Sequence, residues 1–164
     1  AYTASASALP PLTPQATPSL ESAPALTSAP VALPIDVPAT QPGPVTSAFG
    51  WRSDPFTGRA QFHAGTDVRM AYGQDVQAVA PGRVASVGER QGYGLTVVID
   101  HGNGLLSLFC HLSEHTAKVG DRVSKGQSVA RSGATGRASG PHLHWSVYLN
   151  GVSFEPEMSN AARR

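Results

Sequence analysis

The stretch Pro141-His142-Leu143-His144-Trp145-Ser146-Val147-Tyr148-Leu149 alternates bulky apolar and polar side chains along its length. Successive side chains of a β-strand point to opposite faces. Leu143, Trp145, Val147 and Leu149 therefore share one face, which reads as core, while His142, His144, Ser146 and Tyr148 share the other. Two imidazoles projecting side by side from a rigid element are a good support for a metal site. A strand of this kind needs partners, and the chain before it supplies them.

Short β-prone runs lie at 45–50, 75–80, 82–87, 96–100, 105–110 and 128–130. Turn signals separate them: Pro81-Gly82, Gly92-Tyr93-Gly94, His101-Gly102-Asn103-Gly104 and the glycine-rich 133–140. No stretch longer than about 12 residues carries a helical period. The expected fold is mainly β: an antiparallel β-sheet domain over residues 45–160, with a metal site in an open groove, preceded by an extended Pro/Ala-rich segment.

Residues 1–44 hold ten of the 14 prolines, ten alanines, no Lys or Arg and a single aromatic, Tyr2. Such a segment buries too little apolar surface to offset its ordering entropy, and proline favours extended, semi-rigid conformations. It reads as a linker or tail. The alternative is a segment that folds back over the site through residues 31–37, bringing the Asp36 carboxylate towards a metal. Ala161-Ala162-Arg163-Arg164 reads as a loose end.

The totals narrow the function. With 12 Lys+Arg against 11 Asp+Glu, the charge is nearly balanced, which argues against a nucleic-acid partner. No apolar run approaches the roughly 18 residues of a membrane span. One cysteine, Cys110, allows no internal disulfide. No signal peptide is visible at the N-terminus, and a chain that begins at Ala1 reads as a mature or excised form.

A second pair of candidate ligands stands upstream in Phe62-His63-Ala64-Gly65-Thr66-Asp67. The spacing of four suits a helix, but Gly65 and Thr66 are poor helix formers. A turn or strand-edge loop is expected, with Gly65 letting the backbone bend so that both side chains converge. Catalytic zinc takes three nitrogen or oxygen ligands and keeps one position open; His63, Asp67, His142 and His144 offer four. Taken singly, each histidine reads as a surface or satisfied core residue, and His101 and His115 stay in that class.

The region 45–156, which is 112 of the 164 residues, resembles the lysostaphin/LytM-like zinc endopeptidases, which cut peptide cross-bridges in bacterial peptidoglycan. The matching segments run in order. Thr46-Ser47-Ala48-Phe49-Gly50-Trp51-Arg52 is similar to the family's opening strand, and His63-Ala64-Gly65-Thr66-Asp67 matches its His-x-Gly-x-Asp motif. Val79-Ala80-Pro81-Gly82-Arg83-Val84 matches its first hairpin, and Gly92-Tyr93-Gly94 precedes a strand ending at Asp100-His101-Gly102. Phe109-Cys110-His111-Leu112 matches a segment that usually reads Tyr-x-His-Leu. Val119-Gly120-Asp121 through Gly126-Gln127 resembles a family turn, and His142-Leu143-His144 matches the His-x-His strand.

The resemblance implies that His63, Asp67 and His144 bind Zn2+ and that His111 and His142 are the catalytic, non-ligand histidines. Alternation then sends His111 and Phe109 one way and Cys110 the other, as a buried apolar residue. Two positions depart from the family: Phe109 lacks the usual tyrosine hydroxyl near the cleft, and Ser146 stands where many relatives carry a glutamate. The implied activity is a zinc endopeptidase acting on peptidoglycan stem peptides, with Gly-rich loops 88–94 and 133–140 walling the cleft. The segment Phe49-Gly50-Trp51-Arg52-Ser53-Asp54-Pro55-Phe56-Thr57-Gly58 looks more like Gram-negative envelope members. That favours D-alanyl-meso-diaminopimelate bonds and a periplasmic or secreted location. The alternatives are a non-catalytic module that activates cell-wall amidases and a secreted bacteriolysin that cleaves glycine bridges.

Overall fold

The computed structural model describes residues 43–155. The expectations for the Pro/Ala-rich segment, for a fold-back through Asp36 and for the tail at 161–164 lie outside them. Among the described residues there are twelve strands and no helix, so the mainly β expectation holds.

The strands are β1 (Val45–Ser47), β2 (Gly50–Ser53), β3 (Ala60–His63), β4 (Thr66–Val68), β5 (Asp75–Gln77), β6 (Gly82–Arg90), β7 (Gly94–Gly102), β8 (Leu105–His115), β9 (Arg122–Val123), β10 (Ser128–Ser132), β11 (Leu143–Leu149) and β12 (Val152–Phe154). Ten form one sheet, ordered β1-β4-β11-β8-β7-β6-β9, with β12 beside β11 and β10 between β5 and the far half of β8; β2 and β3 form a separate ribbon. Every pairing is antiparallel.

Local chemistry explains the long hairpin. β7 carries Val97, Val98 and Ile99, whose branched side chains suit a pleated surface. It turns into β8 at Asn103-Gly104, both at positive φ (53° and 79°), the backbone that a two-residue type I′ turn requires. Asn150-Gly151 (50° and 82°) repeats the device between β11 and β12.

The main core lies on one side of the sheet, where Val97, Ile99, Phe109, Leu112, Leu143, Trp145 and Val147 pack together. Val98, Leu108 and Cys110 form a smaller cluster, against which Leu106 and Tyr148 pack. In β11 the alternation read from sequence is realised: Leu143, Trp145, Val147 and Leu149 belong to the core, and His144 and Ser146 are buried between them on the other side.

Two local expectations are corrected. His63 ends one strand and Asp67 sits in the middle of another. Because β4 lies between β1 and β11, Asp67 is on an inner strand rather than an edge loop. Gly65 does not need an unusual φ. Its role is close approach, since a Cβ there would meet the Ser146 hydroxyl, the Trp145 carbonyl and the His144 ring. The second correction is the face of His111. Phe109 and Leu112 both face the main core, and two residues, Cys110 and His111, stand between them. The pairing of β7 with β8 shifts there, from Val97–Phe109 to Leu95–Leu112. This is a β-bulge, which re-aims a side chain, and it carries His111 onto the side opposite Phe109. Phe109 is fully buried, so the hydroxyl it lacks would have faced the core, not the cleft.

Candidate metal centre and its groove

β4 and β11 pair so that His144 lies directly opposite Asp67, and the end of β3 brings His63 beside them. Their facing atoms form a tight triangle. His63 Nε2 lies 2.9 Å from His144 Nδ1, His144 Nδ1 lies 2.9 Å from Asp67 Oδ1, and Asp67 Oδ1 lies 3.2 Å from His63 Nε2. Ligands at about 2.0–2.1 Å from a tetrahedral ion are separated by roughly 3.3–3.4 Å, so the triangle has nearly the size of one face of that tetrahedron.

The outer partners decide which atoms face inward. His63 Nδ1–H donates to the Ala48 carbonyl at 2.9 Å, which leaves Nε2 as a lone pair. His144 Nε2–H donates to the Ser146 hydroxyl at 2.9 Å, which leaves Nδ1 as a lone pair. Metal-ligating histidines are held by such second contacts as a rule. Asp67 Oδ1 is itself an acceptor. Three acceptors this close repel one another, and a single cation among them satisfies all three.

The electrostatics agree. Burial pushes the Asp67 carboxyl up, but the His144 and His63 rings set against it outweigh this and hold its pKa well below the usual carboxylate range, so the carboxylate is ionised. Burial pushes the His144 pKa down, against the pull of Asp67, which favours the neutral, ligating ring. Arg52 adds a cation 3.7 Å from Asp67 Oδ2. Two neutral imidazoles and one carboxylate are the donor set of a catalytic zinc, so the residues present fit the ion.

The triangle lies in an open groove of about 510 Å³. His111 and His142 line it too, with ring centroids 4.7 Å apart. His111 Nδ1–H donates to the Thr135 carbonyl at 2.8 Å; His142 Nδ1–H donates to the Gly140 carbonyl at 2.8 Å. Each ring thus turns Nε2 towards the groove. His142 precedes β11 and is bridged to Gly133 rather than lying in the regular strand. Burial, with His142 and His144 nearby, lowers the His111 pKa to about 4.

Both glycine-rich loops contribute walls through Gly92 and through Arg137, Ala138, Ser139 and Gly140. Arg137 spans the groove: its guanidinium lies 3.0 Å from Asp54 Oδ1 and 4.6 Å above the Phe56 ring, and its amide donates to the Gly92 carbonyl at 2.9 Å.

All five histidine and aspartate site residues singled out from the sequence meet in this groove. His101 and His115 do not; their rings bond Pro81 and Ser107, and Ala117. Cys110 is fully buried, and burial raises its thiol to about 12, so it is not a nucleophile. By sequence Tyr93 is part of a turn, in Gly92-Tyr93-Gly94. It lines the groove, with its ring 5.5 Å from His144. Its one signal was an aromatic between two glycines at a hairpin.

Known proteins bear on this geometry. Residues 61–156 match the model of Peptidase family M23. The DD-carboxypeptidase/endopeptidase Mpg of Neisseria meningitidis is 37% identical over 112 residues, covering 68% of this chain and 26% of Mpg; the chain thus spans about a quarter of the length of that curated relative. A zinc-containing peptidase from Vibrio cholerae superposes with a TM-score of 0.64 at 36% identity, over 68% of this chain and 35% of that one. The catalytic domain of lysostaphin, an antimicrobial peptidase from Staphylococcus simulans, superposes with a TM-score of 0.64 at 28% identity, over 71% of this chain and 91% of that domain. By sequence and by fold, this chain belongs to Peptidase family M23.

Proposed function

We propose that the protein is a zinc-dependent endopeptidase that hydrolyses peptide cross-links of bacterial peptidoglycan, with D-alanyl-meso-diaminopimelate bonds as substrate. His63, Asp67 and His144 hold the metal, and His111 and His142 move protons. The observation that carries this reading is the inward triangle of two imidazole lone pairs and one ionised carboxylate, set in a groove with two further histidines. Mpg, named a DD-carboxypeptidase/endopeptidase, supports the choice of bond. Residues 45–160 form the enzymatic unit in this reading, and residues 1–44 tether it. Its substrate places it in the cell envelope, periplasmic or secreted.

Zinc in such a site supplies Lewis-acid polarisation of the scissile carbonyl and acidifies water. The chain does the rest. The groove holds an extended peptide, and its walls approach the backbone closely at glycines. His111 and His142 each present Nε2 as a lone pair. Between them they take the proton of the attacking water and return one to the leaving amine, the general acid–base role that imidazole most often fills.

The test is digestion of purified dimeric muropeptides of defined linkage. The expected result is cleavage of the D-alanyl-meso-diaminopimelate dimer to monomers, abolished by a chelator and restored by zinc. Cleavage of glycine bridges instead would favour the bacteriolysin reading. No cleavage of either by zinc-loaded protein, together with stimulation of a cell-wall amidase, would favour the activator reading. That role requires none of the five side chains to converge.

A further inference from the structure

His111 occupies a costly position. It lies within β8, yet its φ is +58°, a region that non-glycine residues enter only when their surroundings hold them there. Without the bulge it would follow Phe109 into the core face. Its amide donates to the Tyr93 carbonyl at 2.8 Å, and its ring donates to the Thr135 carbonyl at 2.8 Å.

Thr135 is itself pinned at the bulge. Leu95 and Leu112 face each other across β7 and β8. The Thr135 hydroxyl lies between them: it accepts from the Leu95 amide at 3.0 Å and donates to the Leu112 carbonyl at 2.6 Å. A side chain from the loop between β10 and β11 therefore plugs the ladder one residue past His111. The fit is close, because a Cβ on Gly94 would meet the Thr135 backbone.

We propose that the Thr135 hydroxyl is the latch that keeps His111 turned into the groove, which makes Thr135 a positioning residue for proton transfer. The proposal rests on the role given to His111 above. One side chain stitches the two strands, and its own carbonyl fixes the imidazole tautomer. Thr135 bonds His111 but makes no hydrogen bond to His63, Asp67 or His144, and it is not itself part of the groove lining, so loss of its hydroxyl leaves the metal site intact.

The test compares Thr135→Val, which keeps the shape and removes the hydroxyl, with Thr135→Ser, which keeps the hydroxyl. In the zinc-loaded protein Thr135→Val is expected to lower kcat roughly 10- to 100-fold, the cost of misplacing a catalytic group by about 1 Å, with KM and zinc affinity within about 3-fold of wild type. Thr135→Ser restores most of kcat. Nitrogen-15 NMR of the imidazoles gives a readout independent of turnover: His111 carries its proton on Nδ1 in wild type and in Thr135→Ser, and loses that single tautomer in Thr135→Val. Equal kcat in Thr135→Val and wild type would overturn the proposal, as would zinc affinity falling in step with kcat. If Thr135→Val does not fold, an Nε2–H tautomer of His111 in wild type still overturns it. Should wild type cleave no peptidoglycan, the functional reading fails while the NMR comparison decides the latch.

Discussion

The two halves of the groove are built differently. His63, Asp67 and His144 stand on or at the end of strands, paired in register and buried, with each imidazole turned by a contact of its own. His111 and His142 stand where regular structure breaks. One sits on a bulge in a left-handed conformation; the other comes just before β11 and is tied to Gly133. A metal needs three atoms fixed in space, which a strand register supplies. Proton transfer needs a ring aimed at a reacting atom, which here takes a departure from the register. The halves should therefore fail in different ways.

The largest effect separates them at once. Asp67→Ala removes the carboxylate from the triangle, so zinc binding and turnover should be lost together, with activity down by at least about 10⁴-fold if the metal supplies its usual share. Metal content and muropeptide digestion check this. His111→Ala and His142→Ala should each lower kcat by about 100-fold or more while zinc stays bound at one per chain. Loss of zinc in either would erase the distinction between the halves.

Gly65→Ala strikes the metal half indirectly. Its new Cβ would meet the Ser146 hydroxyl and the His144 ring, so the contact that fixes the His144 tautomer must shift. Overpacking of this kind costs about 1–3 kcal/mol, and disturbed outer contacts cost roughly 10- to 100-fold in metal affinity. Chemical denaturation of the metal-free protein and zinc competition titration measure the two effects separately.

The smallest effect concerns pH. In the metal-free protein His111 should titrate near 4, because burial and neighbouring imidazoles disfavour its charge. Folding then favours the neutral ring. The stability this group contributes is complete above about pH 6.5, and it is lost as pH falls from there towards 4, since the unfolded chain takes up a proton the native state refuses. A ring that titrates at the ordinary value by NMR would mean that His111 is open to water.

The same division marks what the sequence could disclose. Alternation in 141–149 is a local property, so the core face of β11 and the inward aim of His144 were legible from spacing alone. The spacing of four between His63 and Asp67 was legible as a pair but not as two strands. β3 and β4 are four and three residues long, too short to show a period. Strict alternation failed at His111, because a bulge changes the count by one and leaves no composition signal in Phe109-Cys110-His111-Leu112. The role of Gly65 lies in its approach to β11, some eighty residues away, and the reach of Arg137 to Asp54 spans 83 positions. Such contacts exist only once the sheet has closed.

The most direct test of the central claim is zinc-edge X-ray absorption on the purified, zinc-loaded protein. The account predicts one zinc per chain with two imidazole nitrogens, one carboxylate oxygen and one further light atom as neighbours. A sulfur neighbour, a third imidazole in place of the carboxylate, or protein that retains no zinc would contradict it.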